Sequence, residues 1–346
     1  MLARGFGGAE RSFVDMSEAL VSKGHDVIAV CEARGKARSL LQGPKIYPIT
    51  VRAHWDPFAS AALTKIIQTE KPDLVHAHLA RAAKIAGKAA NKLGIPSLVK
   101  THNYVDLKYY QNIDCLVPTT LDQEKYLVES GIPAENISRI PNFTSLSLAR
   151  SPKRIAPGED IHLVAIGRLV AKKGFDKLLH ALSNLSVSST ENMSENIRAA
   201  QTVKLTIVGD GPERENLTAL AKTLKIDNRI FFSGWLDNVA GVLDAADIFV
   251  LPSTDEPFGI VCLEAMARAI PIVATKTQGP REILDDKTAV LVEPGDVEAL
   301  EKGIAKAISN PQHTYKRAEL ALVRCAENFT RDVVVERYLA LYRRLI

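Results

Sequence analysis

Two carboxylates eight positions apart, Glu256 and Glu264, frame the stretch EPFGIVCLE between an apolar strand-like run, DIFVLPS, and a helical one, VCLEAMARA. An ionised Glu accepts two donors at once, which suits the hydroxyls of a sugar or a ribose. The amides of Phe258, Gly259 and Ile260, at the start of the expected helix, favour an anion such as a diphosphate. One segment could therefore hold both ends of a nucleotide sugar. The plainer alternative is one Glu offsetting a helix dipole and another on a solvated face, and spacing alone leaves both open. Upstream, IHLVAIGRLVAKKGFDKLLHAL puts Arg168 just past a strand and Lys173 just before a helix, flanked by Gly167 and Gly174. Two cations so placed could neutralise a departing diphosphate, or could simply be solvated loop charges.

Further glycines and histidines complete the candidate set. Gly7 and Gly8 precede the helical run AERSFVDMSEALVSKG, so small residues there let an anion approach backbone amides, as they would also serve a plain turn. In VGDGPERENL, Gly209 and Gly211 follow a strand and let a nucleotide near the backbone, without the full dinucleotide fingerprint. His78 in VHAHL and His102 in VKTHN stand at strand ends, where a doubly wound sheet places ligands; His102 is the preferred ligand contact. No Asp-x-Asp pair and no paired cysteine spacing occurs, so no metal and no cofactor is expected. Cys31, Cys115, Cys262 and Cys325 are read as reduced and mostly buried.

These residues need a scaffold, and the apolar pattern supplies one. DVIAVC, KIYPITV, DLVHAHL, SLVKTH and DCLVPT alternate with helical stretches in the first half; IHLVAIG, KLTIVG, RIFFSG, DIFVLPS, PIVATK and AVLVEP do so in the second. Such alternation predicts an α/β chain of two doubly wound parallel sheets. The 346 residues also exceed what one core usually supports. The expected division is a first domain over 1–145, a Pro- and Ser-rich linker over 146–159 and a second domain over 160–328. A final helix over 329–346, with Val334, Tyr338, Leu341 and Leu345 on one side, is expected to return to the first domain. A polar run, SVSSTENMSENIRAAQ, reads as a surface insertion without chemistry. Only Met1, Leu2 and Ala3 precede the first Gly-rich turn, so the strand that normally opens such a domain is expected to be cut short.

Charge narrows the partners. The net charge is +4, and residues 1–150 hold 19 Lys and Arg against 14 Asp and Glu. From Leu74 to Val105 there is no acid, while Arg81, Lys84, Lys88 and Lys92 recur at helical spacing opposite Ile85, Ala86, Ala89 and Leu93. That helix could lie on an anionic membrane surface or present an ordinary solvated face. Basic and aromatic residues do not interleave, so nucleic acid is not expected as a partner. No long uncharged apolar run and no signal-peptide core occur, which points to a cytoplasmic protein, peripheral on the inner face of the membrane if the basic helix binds lipid.

The order GGAER, DLVHAHL, THN, IPNF, GRLVAKKGFDKLL, LTIVGDGPERENL, FSGW and ADIFVLPSTDEPFGIVCLEAMARAIPIVATKTQGPREIL resembles the retaining glycosyltransferases of family 4 nearly end to end. The resemblance implies the GT-B fold, two Rossmann-like domains facing a central cleft, the first on the acceptor side. It implies that Arg168 and Lys173 grip the donor diphosphate, Glu264 takes the ribose hydroxyls, and Glu256 with the Phe258 and Gly259 amides holds sugar hydroxyls. His102 would sit near the transferred sugar, and Gly7 and Gly8 would touch a phosphate when the domains close. Expected partners are then a nucleotide sugar donor and a cell-envelope glycan or glycolipid acceptor, lipopolysaccharide-like, with a hexose transferred and its anomeric configuration retained. A sugar-nucleotide epimerase and an inactive nucleotide-sugar-binding relative are the alternatives.

Overall fold

The computed structural model describes all residues except Phe6, His54, Trp55, Val105, 154–159 and 189–201. In chain order the first stretch holds α1 (Gly8–Ser22), β1 (Ile28–Glu32), α2 (Ala37–Leu40), β2 (Lys45–Ile49), α3 (Pro57–Glu70), β3 (Val75–His78), α4 (Ala80–Leu93), β4 (Ser97–Lys100), β5 (Cys115–Val117) and α5 (Leu121–Glu129). The second holds β6 (Ile161–Ile166), α6 (Phe175–Ser188), β7 (Val203–Val208), α7 (Arg214–Thr223), β8 (Ile230–Gly234), α8 (Ala240–Ala245), β9 (Ile248–Leu251), α9 (Ile260–Ala267), β10 (Ile272–Thr275), α10 (Gln278–Ile283), β11 (Val290–Val292), α11 (Val297–Ser309), α12 (Pro311–Asn328) and α13 (Arg331–Leu345). Each strand-like run of the sequence contains a strand. Residues Met1–Phe143 and Phe329–Ile346 form one unit, Thr144–Asn328 the other.

The second unit is a six-stranded parallel sheet in the order β11-β10-β9-β6-β7-β8. Counted from β6 this is the doubly wound order 3-2-1-4-5-6, whose direction of winding reverses between β6 and β9. The central strands read as unbroken apolar runs because helices cover both faces: β9 and β10 are buried at every position. Leu163, Leu178, Leu182, Leu205, Val250 and Ile304 make the heart of that core. The segment expected as a linker is tied to this unit as far as it is described: Ala149 N–H donates to Ala267 O (2.7 Å), and Lys153 pairs with Asp247 (2.8 Å). Residues 154–159 of it, and 189–201 of the polar run, lie outside the described residues.

The first unit is built differently at its centre. β1 pairs with β2, and β3, β4 and β5 form a second parallel ladder, with no strand pairing between β1 and β3 among the described residues. Met1 and Leu2 are buried, and Met1 runs alongside β1, its N donating to Val30 O (2.9 Å) and its O accepting from Glu32 N (3.2 Å). Behind Met1 a cavity of about 410 Å³ separates Val27 and Ile28 from Val75, His76 and Ala77. α13 belongs to this unit: Val334, Tyr338 and Leu341 pack with Met16, Leu98, Val117 and Phe143, and Leu345 lies against the same cluster.

Candidate active site

The winding reversal puts the ends of β6 and β9 side by side, and the two loops that leave them carry the candidate donor residues. After β6 the chain runs through Gly167 and Arg168 into a single 3-10 turn, Ala171–Lys173, before α6. The stem of Lys173 passes over Gly167, 3.8 Å from where a β-carbon would lie, and its Nζ forms an ion pair with Glu256 from the β9 loop. Both partners are largely buried, with side chains 18% and 8% exposed. Ser253 Oγ stands 3.5 Å from the same carboxylate oxygen. Spacing suggests separate duties for Lys173 and Glu256; the structure joins them, so each neutralises the other. Arg168 is exposed, and no carboxylate among the described residues pairs with it.

Gly259 caps α9 with φ +87, a left-handed conformation that costs glycine little, and no side chain satisfies the first amides of the helix. Phe258 is buried beneath them. Glu264 lies one turn into α9, half-buried and engaged by a neighbouring group. Gly209 follows β7 with φ +137, and a β-carbon there would strike the Gly167 carbonyl, so only glycine lets these two strand ends meet. Arg168, Lys173, Gly209, Glu256, Phe258, Gly259 and Glu264 thus belong to adjoining strand ends of one sheet. Sequence reasoning missed three neighbours. Gly279 N donates to Glu256 O (3.0 Å) while Gly279 packs against Phe258; beside it Thr277 Oγ1 and Gln278 Oε1 are buried without hydrogen-bond partners. Orphaned polar atoms at a strand end mark a place for ligand contacts.

In the first unit, His78 closes β3 and His102 lies two residues beyond β4. His78 Nδ1 and His102 Nε2 are 3.1 Å apart, so one ring donates to the other. His76 stacks on His78, and its Nδ1 is 2.7 Å from Tyr342 Oη of α13. Burial holds His78 and His102 well below the ordinary imidazole range and His76 down to about 3, so all three are neutral at pH 7. Lys100, at the end of β4, is fully buried; its Nζ lies 5.3 Å from the Tyr338 ring centroid and 3.4 Å from Pro141 O. Burial lowers it to about 7. Gly7 caps α1 without a side-chain cap, but Glu10 Oε2 lies 3.5 Å from the Gly7 β-carbon position. That carboxylate competes with any anion at the Gly7 and Gly8 amides. All four cysteines are free and buried, and burial pushes the Cys262 thiol far up. Among the described residues no three His, Cys, Asp or Glu side chains gather to hold a metal ion, and no helix is long and apolar enough to cross a membrane.

Residues 149–321 match the family Glycosyl transferases group 1, and residues 6–148 match Glycosyltransferase Family 4. The chain belongs to the group 1 glycosyl transferases. It is similar to a lipopolysaccharide core biosynthesis glycosyltransferase, LpsE, of Rhizobium meliloti, 29% identical over 97% of this chain and 95% of that one. Among solved structures, a glycosyltransferase from Rickettsia africae superposes with a TM-score of 0.80 at 21% identity, covering 99% and 98% of the two chains. The Anabaena protein HepE in complex with UDP-glucose superposes with a TM-score of 0.80 at 19% identity, covering 100% and 98%. The fold is GT-B, each unit of this glycosyltransferase being one Rossmann-like half, and the β6 and β9 loops lie within the group 1 match.

Proposed function

We propose that this glycosyltransferase moves a hexose from a nucleotide diphosphate sugar to a hydroxyl of a cell-envelope glycan or glycolipid, with retention at the anomeric carbon. The observation that carries the reading is the Lys173–Glu256 pair at the winding reversal, with Arg168 exposed beside it. A diphosphate arriving there draws Lys173 and Arg168 to its oxygens, and Glu256 turns to the sugar hydroxyls. As the bond to the anomeric carbon breaks, charge grows on the leaving phosphate, where two fixed cations and the uncapped start of α9 stabilise it. In a retaining transfer the acceptor hydroxyl attacks from the leaving-group face and passes its proton to the departing phosphate oxygen. Glu264 is assigned the ribose, Gly209 the nucleotide, and His102 of the first unit a contact with the transferred sugar. Its low proton affinity suits it to accept or donate one hydrogen bond as a neutral ring.

The names of the relatives support the substrate classes: LpsE is named for lipopolysaccharide core biosynthesis, and HepE is described with UDP-glucose. With Arg168 and Lys173 as the counter-charges, the reaction is proposed to need no metal, and chelation should leave transfer intact. The enzyme is proposed to work in the cytoplasm at the membrane's inner face through α4, whose Lys88 and Lys92 are exposed while Ile85, Ala86 and Ala89 are buried. Calorimetric titration with UDP and GDP tests the donor site. Arg168→Ala and Lys173→Ala should each weaken nucleoside diphosphate binding in a folded protein, and Glu264→Ala should weaken it through the ribose; unchanged affinity in all three refutes the assignment. Transfer from a radiolabelled donor then decides the reaction, since an epimerase releases free sugar and an inactive binder yields no product.

A further inference from the structure

A second cavity of the first unit, about 420 Å³, opens at the ends of β2 and β3 and gathers three guanidinium groups, those of Arg4, Arg52 and Arg81. Arg4 is largely spent: its Nε pairs with buried Glu32 (3.3 Å) and its Nη2 donates to Val51 O (3.4 Å). Arg81 Nη1 donates to Leu2 O at 3.4 Å, and among the described residues neither it nor Arg52 is paired with a carboxylate. The carboxylate of Asp56, four residues beyond Arg52, accepts from the backbone amides of Arg52, Phe58 and Ala59 and feels the Arg52 charge through space without a direct ion pair. The wall therefore carries a net excess of positive charge inside a concave space large enough for a sugar unit. Leu79 adds to it. With φ +68 it turns the chain sharply into α4, whose first amides have no side-chain cap and border the same cavity. The inner wall is His78, which is hydrogen-bonded to His102.

We infer that this cavity is an oxyanion subsite for the acceptor, seating a phosphate or carboxylate substituent of the glycan between Arg52 and Arg81. The acceptor role rests on the reading of His102 as a contact of the transferred sugar; the oxyanion preference rests on the cavity alone. Planar guanidinium groups bind either oxyanion through paired donors, whereas a neutral sugar offers exposed Arg52 and half-buried Arg81 no counter-charge.

The test uses the full chain with labelled histidines, its ring signals followed by NMR during titration with glucose 6-phosphate, galacturonate and neutral glucose. Both anionic sugars, or the one whose oxyanion is the true substituent, should shift the His78 signals saturably while glucose does not. Arg52→Gln with Arg81→Gln should weaken that binding about tenfold or more, because each charge-assisted contact is lost. The melting temperature and the affinity for UDP should stay unchanged. Equal binding of glucose, anion binding indifferent to the double substitution, or displacement of glucose 6-phosphate by saturating UDP would each overturn the subsite. If UDP fails to bind the unsubstituted protein while glucose 6-phosphate still does, the donor reading fails and the oxyanion site stands.

Discussion

Replacing Lys100 with Met should stabilise the first unit, and by an amount that depends on pH. The side chain is fully buried, its Nζ 5.3 Å from the Tyr338 ring centroid and 3.4 Å from Pro141 O, and among the described residues it makes no ion pair with a carboxylate, the Asp15 charge acting only from a distance. Burial lowers its proton affinity from the ordinary 10.5 to about 7. Between those values the unfolded chain holds a proton that the folded one has released, so stability rises with pH across the window and is lowest below it. At about 1.4 kcal/mol per tenfold, the lysine costs roughly 4 kcal/mol at pH 7 and about 2 kcal/mol at pH 9. Met fills similar volume without that cost. Parallel urea melts of the two proteins isolate the side chain, because His76, His78 and His102 are neutral in both states above pH 7. The gain from Lys100→Met should shrink by about 2 kcal/mol between pH 7 and pH 9. An equal gain at both values would show that Lys100 is ordinarily solvated and that the buried reading of β4 is wrong.

Glu256→Gln leaves Lys173 unneutralised, so UDP should bind at least as tightly while transfer falls by roughly two orders of magnitude, as expected for a group acting mainly on the sugar; parallel loss of both would make Glu256 structural. Gly209→Ala would force a β-carbon onto the Gly167 carbonyl and hold alanine at φ +137; on the order of 3 kcal/mol should be lost from the second unit, and an unchanged melt would refute the close approach. Lys88→Glu with Lys92→Glu should abolish flotation with anionic vesicles, which in the unsubstituted protein should weaken as salt rises because the charges are screened over about 8 Å at physiological ionic strength; binding indifferent to salt and lipid charge would point to a soluble acceptor. An apolar extended segment fused ahead of Met1 should fill the cavity between β1 and β3 and raise the melting temperature, whereas a polar one of equal length should not.

The strands were legible because helices cover both faces of each parallel sheet, leaving short apolar runs with sharp polar borders. That is why runs such as DIFVLPS and PIVATK hold β9 and β10. The residues around the winding reversal were legible for a related reason: strand-end loops are short, so Arg168, Lys173 and Glu256 had to emerge at neighbouring strand ends. The Lys173–Glu256 pairing was not, because two side chains 83 positions apart meet only through sheet order. Lys100 hid in plain sight. A lysine closing the run SLVK reads as a strand leaving the core, and nothing local shows that Tyr338 of α13 lies over it. The grouping of three arginines around the second cavity escaped for the same reason, since Arg4 precedes α1, Arg52 follows β2 and Arg81 lies in the first turn of α4.

The first unit is assembled from two separated stretches of chain, with the second unit threaded between them. On the ribosome, residues 144–328 emerge before α13 exists, so the second unit has all its strands while the first still lacks the helix that covers Met16, Leu98 and Phe143. The nascent first unit must wait through that interval with an apolar face uncovered and an open sheet centre. Emergence of residues 329–346 then acts as a latch, so the first unit gains its covering helix only after the second unit has left the ribosome. A stalled chain ending before Arg331 would carry a finished second unit beside an unsealed first one, a natural client for a chaperone.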